Sequence, residues 1–251
     1  MIIHGDCLDI MPTLEDKSID MILCDLPYGT TACHWDTIIP FEPLWKQYKR
    51  LIKDNGAIVL TASQPFTSAL VMSNPAMFKY EWIWEKDEGA GFVNAKNAPL
   101  KKHENILVFS IGSIANGGKC KLLYFPQGLL PHGRNRRVDK KDGTFLGARP
   151  KQDGKQYIQE WKNYPVSILY SQRDRGLHPT QKPVALFEYL IRTYTNEGDT
   201  VLDNCAGSFT TAIACMNTNR EYICIEKEEK YFEIGKNRIN NHQPLFQRAQ
   251  L

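Results

Sequence analysis

"VLDNCAGSFTT", Val201 to Thr211, reads as a buried strand that ends in an acid, crosses a small-residue turn and enters a helix. A stretch of this kind sets backbone N–H groups and a glycine open to close approach at the carboxyl end of a strand, where open α/β sheets bind ligands. It lacks the G-x-G-x-x-G spacing of dinucleotide sites, so a nicotinamide cofactor is unsupported. The next strand, "EYICIE" (Glu221 to Glu226), closes on a second carboxylate, placed to take both hydroxyls of a ribose. Either acid alone could equally cap the helix behind it. Together, at this spacing, they favour a nucleoside-bearing cofactor.

Outward from that stretch, "DMILC" (Asp20 to Cys24), "GAIVLT" (Gly56 to Thr61), "YEWIW" (Tyr80 to Trp84) and "NILVFS" (Asn105 to Ser110) read as further strands. Phe41, Leu44, Trp45, Tyr48 and Leu51-Ile52 recur at helical spacing and stop at Asn55-Gly56. Val184, Phe187, Leu190, Ile191 and Tyr194 form a second apolar stripe, with Pro183 in its first turn. Tyr231, Ile234 and Ile239 mark a last amphipathic helix. Strands alternating with helices predict an α/β fold, a mostly parallel sheet with helices on both faces.

The stretch from 111 to 177 has a different texture, rich in glycine, proline and basic residues, and is too long for a simple connection. Between Asn116 and Arg175 thirteen Lys/Arg stand against five Asp/Glu, a local +8 in a chain of net charge +3. Such a block is either a polyanion-binding surface or a solvated loop. The chain of 251 residues, 42% hydrophobic and 24% charged, has the composition of a soluble globular protein. No run of eighteen apolar residues predicts a membrane span, and "MIIHGDCLDI" is no secretory signal. Seven cysteines without a C-x-x-C pair read as reduced thiols of a cytoplasmic protein, and Cys24, Cys33 and His34 match no common metal spacing.

"DLPYG", Asp25 to Gly29, ends the strand "DMILC" with an acid, a stiffened turn and an aromatic plate. An acid, an outward carbonyl and a flat ring suit a planar substrate bearing an exocyclic amine. Without a cofactor site nearby, the same letters would be an ordinary strand-terminating turn.

Six stretches, in order, resemble the DNA amino-methyltransferases of the β class, in which the catalytic motif precedes the S-adenosyl-L-methionine motif. "HGDCLDIMPTL" resembles the segment whose acid, Asp6 with Cys7 beside it, meets the cofactor's adenine amine. "DLPYG" stands for Asp-Pro-Pro-Tyr, with Asp25, Leu26, Pro27 and Tyr28 as the catalytic residues and Leu26 contributing its carbonyl. "KKHENILVF" resembles a later structural motif. "HPTQKP" resembles the cofactor-tail motif, with His178 and Lys182 either on the cofactor's carboxylate or simply at the start of a helix. The cofactor loop is represented by Asp203, Asn204, Ala206, Gly207, Ser208, Phe209 and Thr210, and the ribose strand by Glu226 and Lys227.

The resemblance implies a Rossmann-like S-adenosylmethionine-dependent methyltransferase fold: a catalytic half at 1–110, a target-recognition insertion at 111–177 and a cofactor-binding half at 178–251. It implies methyl transfer to the N6 amine of an adenine flipped out of double-stranded DNA, since a leading Asp accompanies adenine; cytosine N4 and a catalytically silent DNA-binding relative are the alternatives. Arg134, Arg136, Arg137, Lys140 and Lys141 are the expected phosphate contacts, unless they face solvent. Trp35 either flanks the base pocket or is a buried anchor. The class leaves room for a homodimer and for a cognate restriction endonuclease. Phe209 departs from it, standing where a second glycine is usual, and either packs away from the ligand or narrows the site.

Overall fold

The computed structural model describes residues 1–31, 33–34, 36–137, 156–174 and 181–242. Its elements follow one another as β1 (Ile2–His4), α1 (Cys7–Ile10), β2 (Ile19–Asp25), α2 (Phe41–Leu51), β3 (Ile52–Ala62), α3 (Phe66–Ser73), β4 (Phe78–Ala90) and β5 (Lys101–Phe109). After β6 (Leu130–Arg137), β7 (Gln156–Lys162) and β8 (Ile168–Tyr170) come α4 (Val184–Tyr194), β9 (Thr200–Asp203), α5 (Thr210–Thr218), β10 (Glu221–Glu226) and α6 (Glu229–Asn240).

Eight strands form one sheet in the order β1-β10-β9-β2-β3-β5-β4-β8. All neighbours run parallel except β5, which is antiparallel to both β3 and β4. The exception follows from connectivity: residues 91–100 return directly from β4 to β5, and a direct return reverses the strand. The expected mostly parallel sheet is present.

The period-two pattern of β2 divides its side chains between two cores. Ile22 and Cys24 pack with Leu44, Trp45, Tyr48 and Leu51 of α2 and with Phe66 and Leu70 of α3. Met21 and Leu23 join Leu186, Phe187, Leu190, Ile191 and Tyr194 of α4 on the other face. Buried aromatic polar atoms are satisfied there: the Tyr194 hydroxyl accepts from Trp82 Nε1 at 2.7 Å and shares a hydrogen bond with the Tyr80 hydroxyl at 2.9 Å.

Pro183 is the N-cap of α4 rather than a residue of its first turn. α3 escaped sequence reading because only Phe66, Thr67 and Leu70 of its eight residues are buried, too few to print a period.

Contacts divide the chain into two compact units, Met1–Phe125 with Ser167–Leu251, and Pro126–Val166. The first contains the eight-stranded sheet. The second is built on the antiparallel pair of β6 and β7, whose sequences show little apolar alternation. It is narrower than the 111–177 stretch, because the Leu123 and Phe125 N–H groups bond the carbonyls of Asn55 and Thr193 and Leu122 is buried, which ties 122–125 to the first unit. No helix among the described residues is long and apolar enough to cross a membrane.

Candidate active site

The sheet changes its direction of winding between β9 and β2, which pair through Met21 with Val201 and Ile22 with Leu202. A crevice at the carboxyl ends of the strands is expected at such a switch point. A cavity of about 590 Å³ opens there, lined by Asp25 to Tyr28, by Asp203 to Ser208, and by Asp6, Cys7, Lys182, Glu226 and Lys227. The two stretches that carry the sequence argument, separated by some 175 residues, therefore face one space.

At one end of the cavity Asp25 is held on both carboxylate oxygens. Its Oδ1 accepts from the Tyr28 hydroxyl at 2.8 Å and from the Thr61 hydroxyl, and its Oδ2 lies 2.6 Å from the Lys182 ammonium. Burial and the neighbouring Asp25 and Glu104 carboxylates push the Tyr28 phenol well above its ordinary value, so it stays a neutral donor. Its ring stacks on Phe66, centroids 5.2 Å apart at 23°. Leu26 is 3% exposed, its side chain anchored in the core beneath the loop.

Lys182, only 5% exposed, also lies 3.4 Å from Glu104, which Lys86 neutralises as well. Burial alone would lower the Lys182 ammonium; Asp25 and Glu104 outweigh it and hold the group above its ordinary value. Burial would raise Glu104, and the charges of Lys182 and Lys86 overcome it and leave the carboxyl low. This arrangement corrects the assignment of Lys182 to the cofactor's carboxylate: its ammonium is committed to two protein carboxylates at the catalytic end.

The loop after Asp25 is clamped from outside by Asp36, whose carboxylate accepts from the N–H groups of Gly29 (2.8 Å), Thr30 (2.9 Å) and Thr31 (2.7 Å). Burial pushes this carboxyl up, but the Thr31 hydroxyl and the three amides more than compensate and leave it below its usual range. Gly29 takes φ +66°, a left-handed conformation that favours glycine.

At the other end, Asp6 caps α1 through the Leu8 N–H (2.9 Å) and pairs with Lys227 (3.0 Å). Glu226 accepts from the Gly207 N–H at 2.7 Å on one oxygen and the Glu228 N–H at 2.8 Å on the other, which leaves lone pairs for hydroxyl donors. Asp203 is buried, which pushes its carboxyl up to about 7 despite hydrogen bonds from Thr211, the Cys205 N–H and Cys24. Asn204 is tied down by the Tyr48 hydroxyl (2.6 Å). Arg238 donates to the Ser208 carbonyl at 3.0 Å and to the Thr210 hydroxyl at 3.1 Å, which fixes the end of the loop. Carboxylate lone pairs left to accept from ribose hydroxyls and an adenine amine, a small-residue turn and a cavity of this size fit a sulfonium nucleoside.

Of the two alternatives for Phe209, the structure shows the ring packed away from the cavity. Its side chain is fully buried with Ala206, Ala212 and Cys224, edge-on to Phe232 at 5.8 Å, and it does not line the cavity. Its backbone nevertheless keeps a glycine-like φ of +59°. Gly235 of α6 makes room for the ring, since a Cβ there would lie 2.5 Å from Phe209 Cδ2. Gly235→Ala should therefore destabilise the protein by about 1–3 kcal/mol through overpacking, although alanine is the better helix former. Urea unfolding of Gly235→Ala, Phe209→Ala and the double variant tests this. The penalty at Gly235 should vanish once the ring is gone, and a stabilising Gly235→Ala would refute the packing argument.

Arg134 is exposed on β6, opposite Gln159 of β7. The backbones of Arg136 and Arg137 continue β6, but their side chains lie outside the described residues, as do Trp35, Lys140, Lys141 and His178. Sequence reading missed Thr61, Asp36, Glu104, Gln181 and Arg238. Asp36 had a weak signal, as an acid closing "CHWD" just after the loop it holds. Glu104 had none, because an acid at the start of a strand reaches the carboxyl edge of the sheet only if that strand runs backwards.

The chain matches the DNA methylase family N6_N4_Mtase over residues 19–237. It belongs to that family. The methylase is 27% identical to the Type II methyltransferase M.HpaI of Haemophilus parainfluenzae, over 96% of this chain and 74% of the relative. It is 27% identical to the DNA adenine methyltransferase YhdJ of Escherichia coli (strain K12), over 95% of this chain and 82% of that protein. The crystal structure of an M1.HpyAVI-SAM complex superposes on it with a TM-score of 0.62 at 25% identity, covering 95% of this chain and 98% of the other. The methylase is thus an α/β DNA methyltransferase.

Proposed function

We propose that the methylase transfers a methyl group from S-adenosyl-L-methionine to the N6 amine of an adenine extruded from double-stranded DNA at a specific site. The observation that carries this reading is the shared cavity: the Asp25 carboxylate and the Asp203–Ser208 turn line one space. The adenine methyltransferase named among its relatives supports the choice of base.

Asp6, Glu226 and the turn from Asn204 to Ser208 would hold the cofactor, which supplies an electrophilic methyl on sulfonium. A target base stacked in a duplex cannot reach Asp25, so it must leave the helix, at a cost of a few kcal/mol. Tyr28, backed by Phe66, offers an aromatic wall for the extruded ring. The amine's lone pair is delocalised into the base, which makes it a weak nucleophile. Donation of an N–H to Asp25 favours a pyramidal nitrogen and stabilises the positive charge that develops on attack.

Lys182, Tyr28 and Thr61 fix the carboxylate's orientation before substrate arrives, so little reorganisation remains for the transition state. Two further acceptors point the same way. Among the described residues, Glu104 Oε2 and Gln181 Oε1 are buried on the cavity wall without a hydrogen-bond partner, the Lys182 ammonium lying 3.4 Å from Glu104 as an ion pair. Unsatisfied buried acceptors are costly unless a ligand's donors meet them.

The exposed Arg134 and its basic neighbours in the second unit contact phosphates and position the duplex in this reading. In the same reading the methylase is the modification enzyme of a pair whose other member is a restriction endonuclease. Incubation with methyl-labelled cofactor and duplex DNA, followed by digestion to nucleosides, should yield labelled N6-methyl-2′-deoxyadenosine. Label in N4-methyl-2′-deoxycytidine alone, or no transfer at all, would overturn the assignment.

A further inference from the structure

β4 and β5 close on each other at the pair Ala90 and Lys101, and both of these residues line the active-site cavity. The ten residues between them form a tip that is exposed throughout. Gly91 turns the chain at φ +92°, and a short 3-10 turn, Phe92–Asn94, follows. The tip is internally ordered, with Asn94 N–H on the Gly91 carbonyl (2.9 Å), Ala95 N–H on Phe92 (3.0 Å) and both Asn97 and Ala98 N–H on Asn94 (2.8 and 3.0 Å). On this braced turn Phe92 is 81% exposed and Val93 96% exposed. Two large apolar side chains in a row, held out by a hydrogen-bonded turn at the mouth of a catalytic cavity, are not scattered surface residues.

We infer that Phe92 and Val93 are the wedge that enters the duplex when the target base leaves it. The inference rests on the base-extrusion reading above. A base that reaches Asp25 leaves a gap in the stack, and that gap lies where the duplex meets the cavity mouth. An aromatic ring and a branched aliphatic group match its chemistry, since both neighbours of the gap present unstacked π-faces. Between Gly91 and Lys101 the tip carries two cationic side chains, Lys96 and Lys101, and no acid, which suits an approach to phosphates. Phe92 and Val93 touch neither the cofactor end nor the reacting amine. They act by holding the extruded state open, as positioning residues.

The test uses the full chain and its own methylation site, mapped by modification-sensitive sequencing of DNA from a host that expresses it. A Phe92→Ser/Val93→Ser variant should melt at the parent's temperature. On a duplex with the target adenine paired to thymine, its kcat/KM should fall at least about 10-fold. On the same duplex with an abasic position opposite the target, where extrusion is easy, the deficit should shrink to within about 2-fold. The rise in fluorescence of 2-aminopurine at the target position should be lost in the variant on the paired duplex.

Equal activity on the paired duplex, or an equal loss on both duplexes, would overturn the wedge. So would a loss accompanied by a changed sedimentation coefficient, which would make the tip a contact between copies of the chain. Failure of the parent itself to methylate any DNA would instead sink the proposed function, and the wedge with it.

Discussion

An Asp25→Asn methylase should transfer methyl groups about 10³-fold more slowly than the parent while its affinity for S-adenosylmethionine changes by no more than about 2-fold. The substitution keeps the size of the side chain and an oxygen for the Thr61 and Tyr28 hydroxyls, both of which bond Oδ1. It removes the negative charge that faces the attacking nitrogen, and that charge acts only as positive charge builds there. The loss should therefore fall on kcat and spare cofactor binding, whose proposed contacts belong to Asp6, Glu226 and the turn after Asp203. Single-turnover methylation and calorimetric titration of the cofactor separate the two. A variant within tenfold of the parent's rate would remove Asp25 from the chemistry.

Lys182→Met carries the second large effect, on stability as well as rate. The ammonium is buried between Asp25 at 2.6 Å and Glu104 at 3.4 Å. Removing it leaves two partly buried carboxylates facing each other with only Lys86 on the far side of Glu104, a loss of about 3–5 kcal/mol by analogy with other broken buried pairs. The pH dependence has a definite sign. Glu104 is depressed in the folded state, so its contribution is present above its unfolded value of 4.5 and lost as pH falls through its folded value. Lys182 is raised, so its contribution is complete below 10.5 and lost as pH rises through its folded value. The gap between parent and variant in chemical denaturation should be widest between those limits and should narrow in acid as Glu104 protonates. A gap that does not change from pH 7 to pH 3 would show that packing, and not charge, is what Lys182 supplies.

Sequence patterns exposed the sheet because its strands are buried on both sides and its helices carry long apolar stripes. Asp25, Asp203 and Glu226 were legible because each closes a recognisable strand, and strand ends in such sheets share an edge. Lys182 was visible as a residue and misread as to partner. A motif gives its neighbourhood, whereas only the fold reveals that its ammonium turns toward Asp25. Glu104 stayed hidden because β5 runs against its neighbours, which depends on a direct return from β4 that spacing does not encode. The doubt attached to Phe209 likewise had a three-dimensional answer, a glycine on α6 some 26 residues further along.

The pairing of β2 with β9 joins early and late parts of the chain at the centre of the sheet, and timing follows from it. While the polypeptide is being synthesised, Asp25 leaves the ribosome long before Thr200, so the nascent chain has one wall of the cleft and not the other. Genome-modifying activity is thus withheld until the last strands have been translated and slotted between β1 and β2.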